Sequence, residues 1–324
     1  MRMKMSRKER LMKTLNFVEP DRPPHFEQLF ELSEEAFGLA MPTNDEIIQA
    51  SGHDQLALFE RCASIYAKII EKYEWDALIV YPPAMGMLVD QPDHPVYRFI
   101  PYLKEYLRRY FHEDILVGTF LWNAFICIDR IKDYMQFSVQ LADDRQSVID
   151  WAQQIFDEGF VHAKRLLDCG VDFIDIASDH AFNSGTFLSP TDFAELVTPY
   201  KKRMVKYIQS RGAWVIMHSD GNLMGVLDQI IDIGPDVLQS IDPQAGMDLA
   251  EVKRLTYGKI ALMGNVQCSY LQSGPKEKLI ESCKYCLDEG SPGGGYIYSS
   301  SNTIFPGVPL ENYQLMLDYF HSRF

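Results

Sequence analysis

Positive charge is scarce in this chain of 324 residues: 31 Lys and Arg stand against 45 Asp and Glu, for a formal net charge of −14. Nucleic acid is therefore not expected as a partner, because gripping phosphates takes a basic face. Long apolar runs are also missing. Without about 18 consecutive apolar residues, no membrane span is expected. Met1 to Arg10 is basic, but no apolar stretch follows it, so it does not read as a signal peptide and a cytoplasmic protein is expected. The six cysteines are scattered, which fits reduced thiols rather than a disulfide framework. Cys283-x-x-Cys286 has no second pair to complete a four-ligand zinc site, and both thiols fall on the apolar stripe of a helical pattern, so they read as core. The chain also lacks a G-x-G-x-x-G turn, a P-loop and a G-x-S-x-G elbow, the glycine-rich signatures of dinucleotide folds, nucleotide triphosphatases and α/β-hydrolases.

What is present is a repeated alternation of short apolar runs and helical segments. A basic amphipathic helix over 5–15 is stopped at Pro20-Asp21-Arg22-Pro23-Pro24. A first strand ends near His25-Phe26-Glu27. Helices are expected over 44–52 and 55–72, and a strand over 76–81 stopped by Pro82-Pro83. Further strands are read at 116–121, 171–176, 213–217, 236–240, 260–265 and 295–300. The helices between them run over 147–169, 190–211, 223–232, 248–256 and 275–289, with a closing helix over 309–322. The apolar runs do not alternate with polar residues, which suits strands buried on both faces of a parallel sheet. About eight such units favour a (β/α)8 TIM barrel, α/β in class. No low-complexity linker divides the chain, so residues 1–324 are expected to form one barrel domain with an N-terminal helical extension.

In a barrel all C-terminal strand ends face one mouth. The stretch Trp214-Val215-Ile216-Met217-His218-Ser219-Asp220-Gly221-Asn222 is a strand running into a polar cluster. Taken alone it is equally good turn chemistry. Other strand ends add His25 and Glu27, Tyr81, Trp122 and Asn123, Asp179 and His180, Gln239 and Asp242, Asn265 and Cys268, and Ser300, Ser301 and Asn302. The catalytic candidates are His218, Asp220, Asp179 and Glu27. Substrate-binding candidates are Phe26, Tyr81, Trp122, Asn123, His180, Asn222 and Asn302. A metal ion has candidate ligands in His218, Asp220 and Cys268, since a catalytic site needs three protein ligands and an open position. Without metal, His218 and Asp220 serve as proton donor and acceptor.

Several of these residues lie in longer matching segments. They include Arg7-Lys8-Glu9-Arg10 through Glu19-Pro20-Asp21-Arg22-Pro23-Pro24; Gly170-Val171-Asp172-Phe173 with Leu188-Ser189-Pro190 and Pro199-Tyr200; His218-Ser219-Asp220-Gly221-Asn222; Gly264-Asn265-Val266 with Leu271 and Gly274; and Pro309-Leu310-Glu311-Asn312. In these the chain resembles the uroporphyrinogen decarboxylase superfamily, whose fold is a (β/α)8 barrel. The resemblance implies one of two activities. The porphyrinogen decarboxylases carry an arginine-rich segment after the first strand that holds substrate carboxylates; here His25-Phe26-Glu27-Gln28-Leu29-Phe30 has no arginine. The other branch contains corrinoid-dependent methyltransferases, which move a methyl group between a small substrate and the cobalt of a separate corrinoid protein. Several of them bind zinc through a His-x-Cys pair and a later cysteine. Here Asp220 stands for the first cysteine and Ser299-Ser300-Ser301 occupies the later region. The resemblance therefore implies a methyltransferase with an oxygen-rich zinc site or none, acting on a methyl ether in O-demethylation, a methylamine or methyltetrahydrofolate. The alternative is a metal-free decarboxylase or lyase on a small carboxylic acid, or a uroporphyrinogen decarboxylase-like activity.

Overall fold

The short apolar runs become parallel strands buried on both faces. They are β1 (Ala77–Val80), β2 (Leu116–Trp122), β3 (Phe173–Ala177), β6 (Trp214–His218), β7 (Val237–Gln239), β8 (Ala261–Val266) and β9 (Tyr296–Ser300). A two-stranded hairpin, β4 (Ala181–Phe182) and β5 (Gly185–Thr186), follows β3 outside the main sheet. The computed structural model describes residues 5–81 and 92–324, so Pro82-Pro83 lies outside the described residues. The main sheet has the order β1-β2-β3-β6-β7-β8-β9, every pair parallel. Helices connect consecutive strands, as parallel crossovers require. Among the described residues no helix is long and apolar enough to cross a membrane.

The first strand is reduced to a bridge. His25 pairs with Tyr298 of β9, Tyr298 N donates to Pro24 O at 2.9 Å, and Asp76 N, just ahead of β1, donates to His25 O at 2.8 Å. The segment around His25 thus joins the two edges of the seven-stranded sheet into a (β/α)8-type barrel. This seam is held by charge. The Asp76 carboxylate is fully buried; it accepts from Arg10 Nη1, from Arg22 Nη1 at 2.8 Å and from His25 N at 2.8 Å. Asp21 holds the other face of the Arg10 guanidinium. The basic helix Arg7–Leu15 and the Pro20–Pro24 turn therefore clamp the barrel's closing edge.

The helices follow the sequence pattern with informative exceptions. The helix Gly52–Tyr73 buries Phe59, Cys62, Ala63, Tyr66, Ile69, Ile70 and Tyr73, the three-and-four spacing of one helical face. The helix expected over 190–211 is two, Pro190–Leu196 and Thr198–Ser210, meeting at Val197. Pro199 has no N–H to donate and its ring crowds the preceding turn, so one continuous helix is disfavoured. Cys283 and Cys286 are both buried in the helix Lys276–Gly290, as the stripe implied.

Candidate active site at the barrel mouth

Which face of each strand looks into the barrel is settled by contacts that cross it. The rings of Phe26 and Phe173 lie 6.1 Å apart, and Gln28 Nε2 donates to Asp175 Oδ2 at 2.9 Å. Both contacts join the first segment to β3, although β1 and β2 separate them in the sheet. Phe26, Gln28, Phe173, Asp175 and Ala177 therefore face the lumen, given the two-residue period of strands. The lumen-facing ring of Phe173 stacks on Trp214 at 4.1 Å, so Trp214, Ile216 and His218 face it too. At the top, Trp122, Ala177, His218 and Gln239 share one register row across four strands. Tyr81, Phe120 and Trp122 form an aromatic wall, with ring centroids 6.3 and 4.7 Å apart.

His218 occupies the last position of β6 and is buried. Its Nδ1–H donates to Gln239 Oε1 on the neighbouring strand. The amide's other end donates to Ser301 O at 3.4 Å, which keeps the carbonyl aimed at the imidazole. That leaves His218 Nε2 as the open nitrogen, 3.6 Å from Asp179 Oδ1. Asp220 is fixed by Ser240 Oγ on one oxygen, at 2.7 Å, and Asn302 Nδ2 on the other. Asp179 Oδ1 accepts from Asp220 N at 2.9 Å. Ligand atoms of Asp179, His218 and Asp220 all lie within 4.8 Å of one another.

The turn that makes this possible needs Gly221. Its φ is +83°, and an added Cβ would sit 2.3 Å from Ala181 O, where the β4–β5 hairpin lies over the turn. Gly264 on β8 has a related constraint, since a Cβ there would come within 2.7 Å of Ser240 O, next to the hydroxyl that holds Asp220.

The site is short of positive charge. Burial works against the charged form of His218, but Asp220, Asp179, Asp175 and the Gln239 hydrogen bond outweigh it and raise its pKa above the ordinary value. Burial also raises the pKa of Asp220, against the pull of His218. Below them Asp175 is fully buried; burial lifts it to about 6 against His218, Gln28 and Lys201. Three carboxylates around one imidazole concentrate negative charge that a cation would offset. The donor set of one imidazole nitrogen and two carboxylates suits a divalent ion that accepts nitrogen and oxygen. The hydrogen bond from Nδ1–H to Gln239 is the outer-shell arrangement that commonly orients a metal-bound histidine.

The remaining candidates fall elsewhere. Glu27 and His25 point away from the lumen, because the residues that alternate with them, Phe26 and Gln28, point into it. Glu27 accepts from Ser300 N at 3.0 Å and Ser300 Oγ at 2.7 Å, and burial pushes its pKa up to about 8. It lies in the layer between barrel and helices and does not reach His218. Cys268 is in the same region, beside Ser301 and Glu27, and is not part of the group formed by Asp179, His218 and Asp220. Asn222 binds Ala245 O and Met224 N, and Asn123 accepts from Cys127 Sγ and, through its backbone, Arg130; both shape turns. His180 is buried beside Phe187 and Phe193, behind the strand ends, with neither ring nitrogen partnered among the described residues. Phe26 is fully buried, deep in the barrel core, and has no exposed face for a substrate. Tyr81 and Trp122 do line the wall, and Asn302 touches Asp220.

Three residues outside the candidate set matter here. Asp175 interrupts the apolar run Phe173-Ile174-Asp175-Ile176, a mid-strand carboxylate that was itself a signal. Gln28 pairs with it. Lys201 follows the apolar stripe Val197, Lys201, Met204, Val205, Ile208 and is fully buried; burial lowers its pKa to about 7, and its ammonium nitrogen lies 5.1 Å from the Phe125 ring centroid.

Comparison with known proteins agrees with this architecture. A methyltransferase from Methanosarcina mazei superposes with a TM-score of 0.75 at 16% identity, over 98% of this chain and 99% of that one. A putative vitamin-B12 independent methionine synthase from Listeria monocytogenes gives a TM-score of 0.51 at 10% identity, over 94% of this chain and 99% of that one. At such identities the likeness is one of fold. Uroporphyrinogen decarboxylase of Geobacter metallireducens is 28% identical over 141 residues, 42% of this chain and 39% of that protein. The enzyme of the same name from Anaeromyxobacter sp. is 30% identical over 135 residues, 42% of this chain and 37% of that one. The chain thus spans about two fifths of the length of the curated relatives it matches. The family model for uroporphyrinogen decarboxylase (URO-D) matches residues 123–323, more than half of the chain and the part that holds Asp179, His218, Asp220 and Asn302. The chain belongs to the uroporphyrinogen decarboxylase (URO-D) family.

Proposed function

We propose that this protein is a methyltransferase that moves a methyl group between a small substrate, bound at the barrel mouth, and a corrinoid carried by a separate protein. The observation that carries the reading is the Asp179–His218–Asp220 group, with His218 Nε2 left open by the Gln239 hydrogen bond. Those three side chains would hold a zinc ion, which when bound supplies Lewis acidity toward the oxygen or nitrogen that gains or loses the methyl group. Gln239 fixes the imidazole tautomer, while Ser240 and Asn302 orient the Asp220 carboxylate. Tyr81, Phe120 and Trp122 provide an apolar side on which a substrate lies away from water. The first segment, from His25 to Phe30, carries no arginine, which disfavours a substrate with many carboxylates. The fold shared with the Methanosarcina methyltransferase supports the same reading.

A metal-free carboxy-lyase is the second reading. It is favoured by the raised pKa of His218, which the carboxylates around it cause and which favours the protonated imidazole as a proton donor. The two are separated by incubating zinc-loaded protein with cob(I)alamin and methoxyaromatics, methylamines or methyltetrahydrofolate, and following the cobalamin spectrum. Conversion to methylcobalamin, lost in His218→Ala, is expected. No conversion with any donor would refute the methyltransferase reading.

A further inference from the structure

Among the described residues, the buried lysine and arginine side chains are Arg10, Arg22 and Lys201. Arg10 and Arg22 share Asp76, but the Lys201 ammonium has neither a hydrogen bond nor an ion pair. Lys201 belongs to the buried stripe of the helix Thr198–Ser210, and its nitrogen lies over the Phe125 ring, in the loop that follows β2. That loop is laced to the end of β3: Asn123 N donates to Ala177 O at 3.2 Å, and Ile128 N to Asp179 O at 2.9 Å. The ammonium thus sits against the loop that holds the Asp179 backbone, while the Asp179 carboxylate faces His218.

An ammonium without a partner is costly in an interior, so its proton stays only where negative charge is near. Burial lowers the pKa of Lys201 to about 7, against the pull of Cys127, Asp179 and Asp175. Burial raises the Cys127 thiol to about 11 and keeps it neutral, so the two aspartates supply the charge. His180, the other titratable group beside Lys201, is held neutral by burial and by the Lys201 charge. Asp175 and Asp179 are also two of the carboxylates that act on His218. We propose that Lys201 is the internal countercharge of the mouth: its ammonium balances Asp175 and Asp179 while no cation is bound there, and it gives its proton to solvent when a divalent ion joins Asp179, His218 and Asp220. Lys201 touches none of the three and acts through Asp179, as a positioning residue. The inference rests on the cation-binding reading of that group and not on methyl transfer. A like charge offsets part of the ion's attraction to the carboxylates, so proton release and ion affinity are linked.

The test is calorimetric titration of metal-free full chain with zinc, at pH 6 and pH 8, in two buffers of different ionisation enthalpy, which gives the protons released per ion. The comparison is with Lys201→Met, close in length and uncharged, shown by circular dichroism to be folded. At pH 6 the variant should release fewer protons than the wild type and bind zinc about tenfold more tightly. At pH 8 the two should converge, because the wild-type amine is then mostly neutral. His218, Asp175 and Asp220 exchange protons in both proteins, so the difference reports Lys201. Lys201→Arg, if folded, keeps its charge and should bind zinc about tenfold more weakly than the wild type at pH 8. A merely structural lysine would move both variants in the same direction. Zinc uptake with equal proton release, or with no tighter binding in Lys201→Met at pH 6, would overturn this inference alone. No zinc uptake by any of the proteins would overturn the cation-binding reading and the inference with it. Zinc uptake with the expected difference, but no methyl transfer from any donor, would leave Lys201 in this role and remove only the methyltransferase reading.

Discussion

Replacing Gln239 by Leu tests whether the mouth is built to hold a cation. Gln239 is fully buried, and leucine is close to it in volume, so the change removes polarity with little change in packing. It deletes the carbonyl that accepts from His218 Nδ1–H and the amide that donates to Ser301 O. A buried N–H left without an acceptor costs about 1–3 kcal/mol. The imidazole escapes this by turning or by moving its proton to Nε2, and either move withdraws the lone pair from Asp179 and Asp220. Outer-shell losses of this type lower metal affinity by roughly 10–100-fold, or about 1.4–2.8 kcal/mol. Gln239→Glu keeps an acceptor at the same place and should hold zinc at least as well as the wild type. The assay is chelator competition for zinc on protein shown by circular dichroism to be folded. Wild-type zinc affinity in Gln239→Leu would refute the assignment of Nε2 as a ligand atom.

Asp76→Ala should cost about 3–5 kcal/mol, because Arg10 and Arg22 stay buried beside the gap and the barrel seam loses its shared acceptor; urea unfolding measures this, and a loss under 1 kcal/mol would deny the clamp. Glu27 has a folded pKa raised to about 8, so the folded protein holds a proton that the unfolded chain releases above the ordinary carboxyl range. Its contribution is therefore present at acid pH and lost as pH rises toward about 8, by up to about 1.4 kcal/mol per pH unit. Glu27→Gln should flatten that slope between pH 5.5 and 7.5 in urea titrations, and an unchanged slope would show that Glu27 is ionised in the fold. Gly221→Ala should disrupt the turn, since the new Cβ meets backbone rather than a movable side chain; chelator competition should show zinc affinity lost more steeply than global stability, and retained affinity would count against the turn as the device that places Asp220.

Much of the fold was legible in order along the chain. Continuous apolar runs of four to seven residues suit strands buried on both faces of a parallel sheet, and the helices between them supply the crossovers. The mouth residues His218, Asp220 and Asp179 were legible for the same reason, since a barrel gathers its C-terminal strand ends. The His25 segment was harder. Its single bridge has no periodic run, and its facing is fixed by contacts to Asp175, Phe173 and Tyr298 from distant parts of the chain. That is why Glu27 read as a site residue while its neighbour Gln28, which does face the lumen, did not.

The sequence by itself determined the class of fold, the acidic balance, the absence of a substrate-gripping arginine segment and the polar end of β6. The fold class, the acidic balance and the polar end of β6 follow from composition or from periodicity along one segment, while the missing arginines matter only through the resemblance to the uroporphyrinogen decarboxylase superfamily. The tertiary structure decided which side chains meet. It put Asp179 in the third place where Cys268 was expected, because β3 and β6 are neighbours and their ends converge, whereas Cys268 begins a helix on the barrel's outer side. It also assigned the role of Gln239, since the tautomer of His218 is set by a hydrogen bond across strands and no spacing within the chain encodes it.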